Sequence, residues 1–181
     1  GGRSSRRSPV VGATIVSNLV PCNVIADEIL TDHPNRYRAM LIESANPVHS
    51  LADSNRFVKA LRSLDTVVVI DVAMTETARQ ADYILPAATQ YEKAEATFFN
   101  FEFPENYFHL RRPLFEPLGD ALPEAEIHSR LVEAAGAMPL QLCKELRKIL
   151  KSHGLSSFRD RLFAAISDNP DLGKLIPVIL Y

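Results

Sequence analysis

Cysteine is scarce in this sequence. Cys22 and Cys143 are the only two among 181 residues, and they lie far apart. Two thiols cannot build a disulfide framework, a zinc ribbon or a four-cysteine iron–sulfur site within this chain. They fit a reducing compartment and read as two small buried hydrophobes. Glycine is scarce as well, with residues only at 1, 2, 12, 119, 136, 154 and 173. Neither G-x-G-x-x-G nor G-x-x-x-x-G-K-[ST] can be written on those positions, which excludes the glycine-fingerprint NAD site and the P-loop. No stretch reaches the roughly 18 consecutive apolar residues of a membrane helix, so no membrane insertion is expected. Charge of one sign is also missing: 20 Lys+Arg against 22 Asp+Glu give a net charge of −2. No basic excess is present to draw nucleic acid, and none is expected as a partner. H-E-x-x-H, G-x-S-x-G and clustered His/Cys are absent too. No catalytic residue and no metal ligand are therefore assigned.

What remains is ordinary globular composition, 46% hydrophobic and 23% charged, of about one domain's length. Gly1-Gly-Arg-Ser-Ser-Arg-Arg7 has no initiator Met and no apolar core, unlike a secretory signal. With the apolar stretch Leu175–Tyr181 at the other end, it leads us to expect a piece of a longer chain. Residues 1–9 read as a flexible lead-in. Val10–Val20 reads as strand or buried extended chain, followed by a short helix capped by Asn23 and bearing Val24, Ile25 and Ile29 on one face.

The rhythm then becomes regular. Tyr37–Ser44 is a short apolar run, Ala45–Ser50 a loop, and Leu51–Arg62 a helix. Thr66-Val-Val-Val-Ile-Asp-Val72 is a β-branched run of the kind buried on both faces in a parallel sheet. Thr75–Ala81 reads as a short helix and Tyr83-Ile-Leu-Pro86 as a third strand. Strand–helix–strand–helix–strand predicts an α/β fold with a Rossmann-like, doubly wound open parallel sheet. From Ala87 to Pro117 the pattern loosens around Phe98, Phe99, Phe101, Phe103 and Phe108, an aromatic group expected in core or interface. Helices follow over 123–133, 140–151 and 158–167. The expected division is residues 1–136 as the α/β domain and 137–181 as a C-terminal helical extension.

In an open α/β sheet, ligands bind beyond the carboxyl ends of the strands. Here those loops are 43–51, 71–77 and 86–92. Asp71 ends a strand, and its acceptor-only carboxylate matches two adjacent donors, such as the guanine N1–H and N2–H₂ edge or a ribose diol. It could equally satisfy backbone amides of the next helix. Asn46-Pro47 reads locally as a turn and Thr75 as an N-cap. Glu76 and Glu92 read as first-turn helix acids. A phosphate could sit on a helix N-terminus beside Ser50, Thr75 or Thr77. His49 reads as an ordinary loop histidine.

Six segments carry a resemblance: Glu43-Ser-Ala-Asn-Pro47, Val67-Val-Val-Ile-Asp71, Thr75-Glu-Thr-Ala78, Ala81-Asp-Tyr-Ile-Leu-Pro86, Gln90-Tyr-Glu92 and Pro123-Glu-Ala-Glu-Ile127. Through them the block from about Arg38 to Leu131 resembles the molybdopterin oxidoreductase family, relatives of dimethyl sulfoxide reductase, formate dehydrogenase and periplasmic nitrate reductase. The resemblance implies a molybdenum or tungsten atom held by two molybdopterin guanine dinucleotides, each bound by a Rossmann-like domain, with this chain as the second of the two. It places Asn46, Pro47 and Ser50 on the first loop and Asp71 at guanine. Thr75, Glu76 and Thr77 would sit at phosphate or ribose, and Asp82, Pro86 and Glu92 on the third loop. Family members also carry a four-cysteine region with a 4Fe-4S cluster, a metal-ligating residue and a C-terminal barrel, none of which occurs in this sequence. The expectation is therefore an internal fragment, inactive alone, of a two-electron oxidoreductase. Its partners would be the parent's remaining domains and an electron-transfer subunit. The expected location is the cytoplasm, or for the parent the periplasm. The rival reading is a non-catalytic α/β interaction module with no cofactor.

Overall fold

The computed structural model describes residues 5–96, 105 and 107–181. Phe98, Phe99, Phe101 and Phe103 of the expected aromatic group lie outside the described residues, and Phe108 is exposed. The chain forms two compact units, residues 1–121 and 122–181.

The first unit is built around β2 (Thr66–Asp71). Its β-branched run favours extended backbone, and it pairs in parallel with β1 (Ala39–Glu43) on one side and β3 (Tyr83–Pro86) on the other, in the order β1-β2-β3. Val67 and Val69 face a helical layer made of α1 (Ile25–Ile29) and α3 (Ser54–Arg62). Phe57 and Leu61 of α3 are buried there with Ile42 and Ile29. Each contributes about 1.5–3 kcal/mol by leaving water. The parallel sheet is the one the sequence predicts; on its other face Ile70 is fully buried, while Leu41 and Tyr83 are 49% and 64% exposed.

The connections differ from expectation for local reasons. The loop at 45–50 closes into the single turn α2 (Pro47–Ser50), because the Asn46 carbonyl accepts from the amides of His49 and Ser50. The next helix starts at Ser54 and not at Leu51. Leu51 is extended, and Asp53, at φ 58°, reverses the chain while its carboxylate accepts from the Arg56 amide. Thr75–Ala81 is shortened to the 3₁₀ turn Ala78–Gln80. Asn23 is not a cap: the chain enters α1 through the 3₁₀ turn Cys22–Val24, with no side-chain cap at either start. Residues 6–15 form a tight reversal, with Gly12 at φ 72°. Neither cysteine is fully buried, Cys22 being exposed and Cys143 half-buried.

Beyond β3 a small antiparallel pair joins β4 (Glu95–Ala96) to β5 (Leu110–Arg111). The second unit contains α4 (Glu124–Ala134), α5 (Leu140–Asp168) and α6 (Ile176–Leu180), with Leu146, Leu162 and Ile179 at its core. Gly154 sits inside α5 at φ 79°, ψ −175°, a conformation open to glycine almost alone. It divides α5 into two helical halves, as the separate helices expected over 140–151 and 158–167 require. The structure groups α4 with these helices, whereas the sequence division at 136 put it with the sheet.

Candidate functional site

The carboxyl ends of β1, β2 and β3 bring their following loops to one edge of the sheet. The first two loops are locked together by Asn46 and Thr77. The Asn46 Oδ1 accepts from the Thr77 amide at 3.2 Å and from its hydroxyl at 2.7 Å. The same hydroxyl accepts from the Val48 amide at 3.1 Å. Asn46 Nδ2 donates to Glu76 at 2.6 Å, and this bond is the main reason the Glu76 carboxyl lies below the usual carboxylate range. Ser50 Oγ donates to the Asn46 carbonyl at 3.0 Å. Pro47 occupies the first turn of α2, where its missing N–H is harmless. Thr77 is fully buried, so it positions the loops and presents no surface to a ligand.

Asp71 stands at the end of β2, in register with Pro86 of β3. Its carbonyl accepts from Ala87 at 3.0 Å. One carboxylate oxygen, Oδ1, accepts from the Ala73 amide at 3.2 Å, while Oδ2 takes no hydrogen bond. The backbone role open at the sequence level is thus present on one oxygen, and the other is left without a partner. Val72 and Met74 flank it, 57% and 56% exposed. The Thr75 hydroxyl oxygen accepts from the Ala78 amide at 3.1 Å, leaving its proton free to donate outward.

The third loop is closed by Glu92, which accepts from the Thr89 amide at 2.8 Å and from the Leu118 amide at 3.0 Å. Those amides, Thr89 first, hold its carboxyl below the usual range. Arg111, which sequence reasoning missed, lies over the Tyr91 ring at 5.5 Å and pairs with Glu95 at 2.6 Å. Its only sequence signal is a pair of arginines following the aromatic stretch. Asp82 is not with these residues. It is at the opposite end of β3, where its carboxylate accepts from the Val67 amide at 2.7 Å. Four residues of strand, roughly 13 Å, separate it from Pro86. Beside it at that amino edge, Arg36 and Arg38 pair with Asp65. Glu28 was also missed: wholly buried, it accepts from the amides of Val10 and Val11, both at 2.9 Å.

This edge offers an open carboxylate, a hydroxyl donor and exposed apolar side chains. The helical elements following the strands are a four-residue turn and a 3₁₀ turn. Neither is long enough to concentrate a helix dipole on a phosphate. Among the described residues no group of three or more His, Cys, Asp or Glu is placed to hold a metal ion. No helix among them is long and apolar enough to cross a membrane.

A parallel sheet with its polar loops gathered at the carboxyl edge defines an open-sheet α/β domain. The chain belongs to the molybdopterin oxidoreductase family, whose model matches residues 12–134. The family takes its name from molybdopterin and from oxidoreductase activity. The chain is 36% identical over 100 residues to a trimethylamine-N-oxide reductase of Vibrio parahaemolyticus, covering 55% of this chain and 12% of that protein. It is 35% identical over 138 residues to the F420-dependent formate dehydrogenase 2 subunit alpha of Methanococcus maripaludis, covering 72% and 20%. Among solved structures it resembles acetylene hydratase from Pelobacter acetylenicus, with a TM-score of 0.56 at 25% identity over 64% of this chain and 16% of that one. The chain thus spans an eighth to a fifth of the length of these relatives.

Proposed function

We propose that residues 12–121 form one of the dinucleotide-binding domains of a larger molybdopterin-dependent oxidoreductase, and that the carboxyl edge of the sheet takes the guanine end of a molybdopterin guanine dinucleotide. The observation that carries this reading is Asp71. Its Oδ2 is open at a strand end, and its two oxygens form a planar acceptor pair that suits the guanine N1–H and N2–H₂ donors. Thr75 offers a donor to ribose or phosphate, and Asn46, Pro47, Ser50, Glu76 and Thr77 fix the loops around that position. Pro86 and Glu92 shape the third loop. Asp82 has no part in the contact and ties β3 to β2 at the other edge.

The donor set fits the nucleotide end of the cofactor and not its metal. The group itself supplies the two-electron chemistry; this chain binds and orients it. The metal ligand, the 4Fe-4S cluster and the electron-transfer subunit belong to other parts of the parent, and the 181-residue chain alone is inactive. The parent works in the cytoplasm or the periplasm.

The test is a titration of the chain with GDP and with ADP, followed by NMR at the Asp71, Thr75 and Ala87 amides. The expected result is a shift with GDP, little with ADP, and loss of the preference in Asp71→Asn. Equal responses to both nucleotides would overturn the assignment of guanine to Asp71. The rival reading, a cofactor-free interaction module, requires silence with both.

A further inference from the structure

The second unit holds a cleft that the proposed cofactor site does not use. It lies between α4, the start of α5 and α6, with a volume of about 310 Å³, within the size range of small-molecule sites. Leu140, Val178 and Ile179 give its lining an apolar part, and Lys144 and Arg147 reach it from successive turns of α5. Glu126, also on the wall, is already engaged by Arg130 at 2.8 Å and by the Tyr181 hydroxyl at 2.8 Å. Glu133 is the other acid on the wall, and with Arg130 paired to Glu126 the remaining lining side chains, Glu133, Lys144 and Arg147, carry one net positive charge. Ser129 lines the same cleft, and its hydroxyl is buried with no hydrogen-bond partner.

We infer that this cleft binds a small amphipathic carboxylate. The carboxylate sits at Lys144 and Arg147, and the apolar chain lies along Leu140 and Ile179. A guanidinium presents paired donors that match a carboxylate, and the two cations together make the bonds charge-assisted. The inference is independent of the guanine assignment, which concerns the other unit.

The cysteines provide the assay. Cys143 lines the cleft, and Cys22 is exposed in the first unit. Iodoacetamide alkylation of both thiols is followed by mass spectrometry in the presence of octanoate, with octanol and octylamine as comparisons. Octanoate is expected to slow Cys143 alkylation several-fold and to leave Cys22 unchanged. In the double variant Lys144→Met/Arg147→Met, the octanoate concentration giving half protection should rise roughly tenfold or more, equivalent to about 1.4 kcal/mol. Lys148→Met, on the same helix but outside the cleft, should behave as the parent chain and controls for folding. Absence of protection by octanoate would overturn the inference. So would equal slowing of Cys22, equal protection by octanol, or an unchanged half-protection concentration in the double variant.

Discussion

Thr77→Val isolates the bond network that holds the candidate site together. Valine has nearly the same shape as threonine, so the buried volume is kept and only the hydroxyl is lost. Two bonds go: the donation to Asn46 Oδ1 and the acceptance from the Val48 amide. Asn46 Oδ1 still has the Thr77 amide at 3.2 Å. The Val48 amide has no such substitute, and Val48 is buried. An unsatisfied buried donor costs about 1–3 kcal/mol, so Thr77→Val should destabilise the first unit by about 2 kcal/mol. Thr77→Ser keeps both bonds and removes a methyl group, a loss of about 1 kcal/mol. The readout is urea unfolding followed at the methyl signals of Val69, which is fully buried in β2. With a slope of about 2 kcal/mol/M, the midpoint should fall by about 1 M for valine and about half that for serine. A valine midpoint equal to that of the parent chain, or a serine midpoint as low as that of valine, would refute the reasoning.

Three further outcomes follow from single residues. Asp53→Ala removes the N-cap acceptor of α3 at a positive φ and should cost about 1–2 kcal/mol in the same unfolding assay, with Asp53→Asn close to the parent chain because asparagine tolerates both roles. Gly154→Ala forces a side chain into a glycine conformation and should cost about 1–3 kcal/mol, seen as a lower thermal midpoint of the second unit by circular dichroism. Glu92 has a folded pKa below its unfolded value of about 4.3. Its contribution to third-loop order is therefore complete above that value and is lost as pH falls through the lower folded pKa. Amide exchange at Thr89 and Leu118 should accelerate, relative to the intrinsic rate, as pH falls below the unfolded value and through the lower folded one, and Glu92→Gln should remove that acid dependence.

The parts of the fold that could be read from sequence are those whose pattern is set locally. The run Val67-Val-Val-Ile70 announced a central parallel strand because both its faces need apolar cover. The break between the helices expected over 140–151 and 158–167 falls at Gly154, whose backbone conformation is open to glycine almost alone. The short connections were harder. Whether 47–50 and 75–81 become a helical turn, a 3₁₀ turn or a loop is decided by the Asn46–Thr77 bonds across 31 residues, and no local window contains both partners. The same bonds turn Thr77 inward, although its motif neighbours Thr75 and Glu76 face out. The resemblance put Asp82 on the third loop with Pro86, yet a strand of four residues carries its two ends to opposite edges of the sheet. Glu28 escaped notice because its partners are backbone amides, which leave no mark on the sequence.

The proposal that Asp71 reads guanine is tested most directly in the whole parent enzyme. Hydrolysis of a bound guanine dinucleotide at its pyrophosphate releases GMP, which can be quantified against the metal content of the purified protein. The account predicts GMP from the parent enzyme and clearly less per chain from its Asp71→Asn variant, with the fold of the variant intact by circular dichroism. A parent enzyme that releases no guanine nucleotide, or a variant that releases as much as the parent, would contradict it.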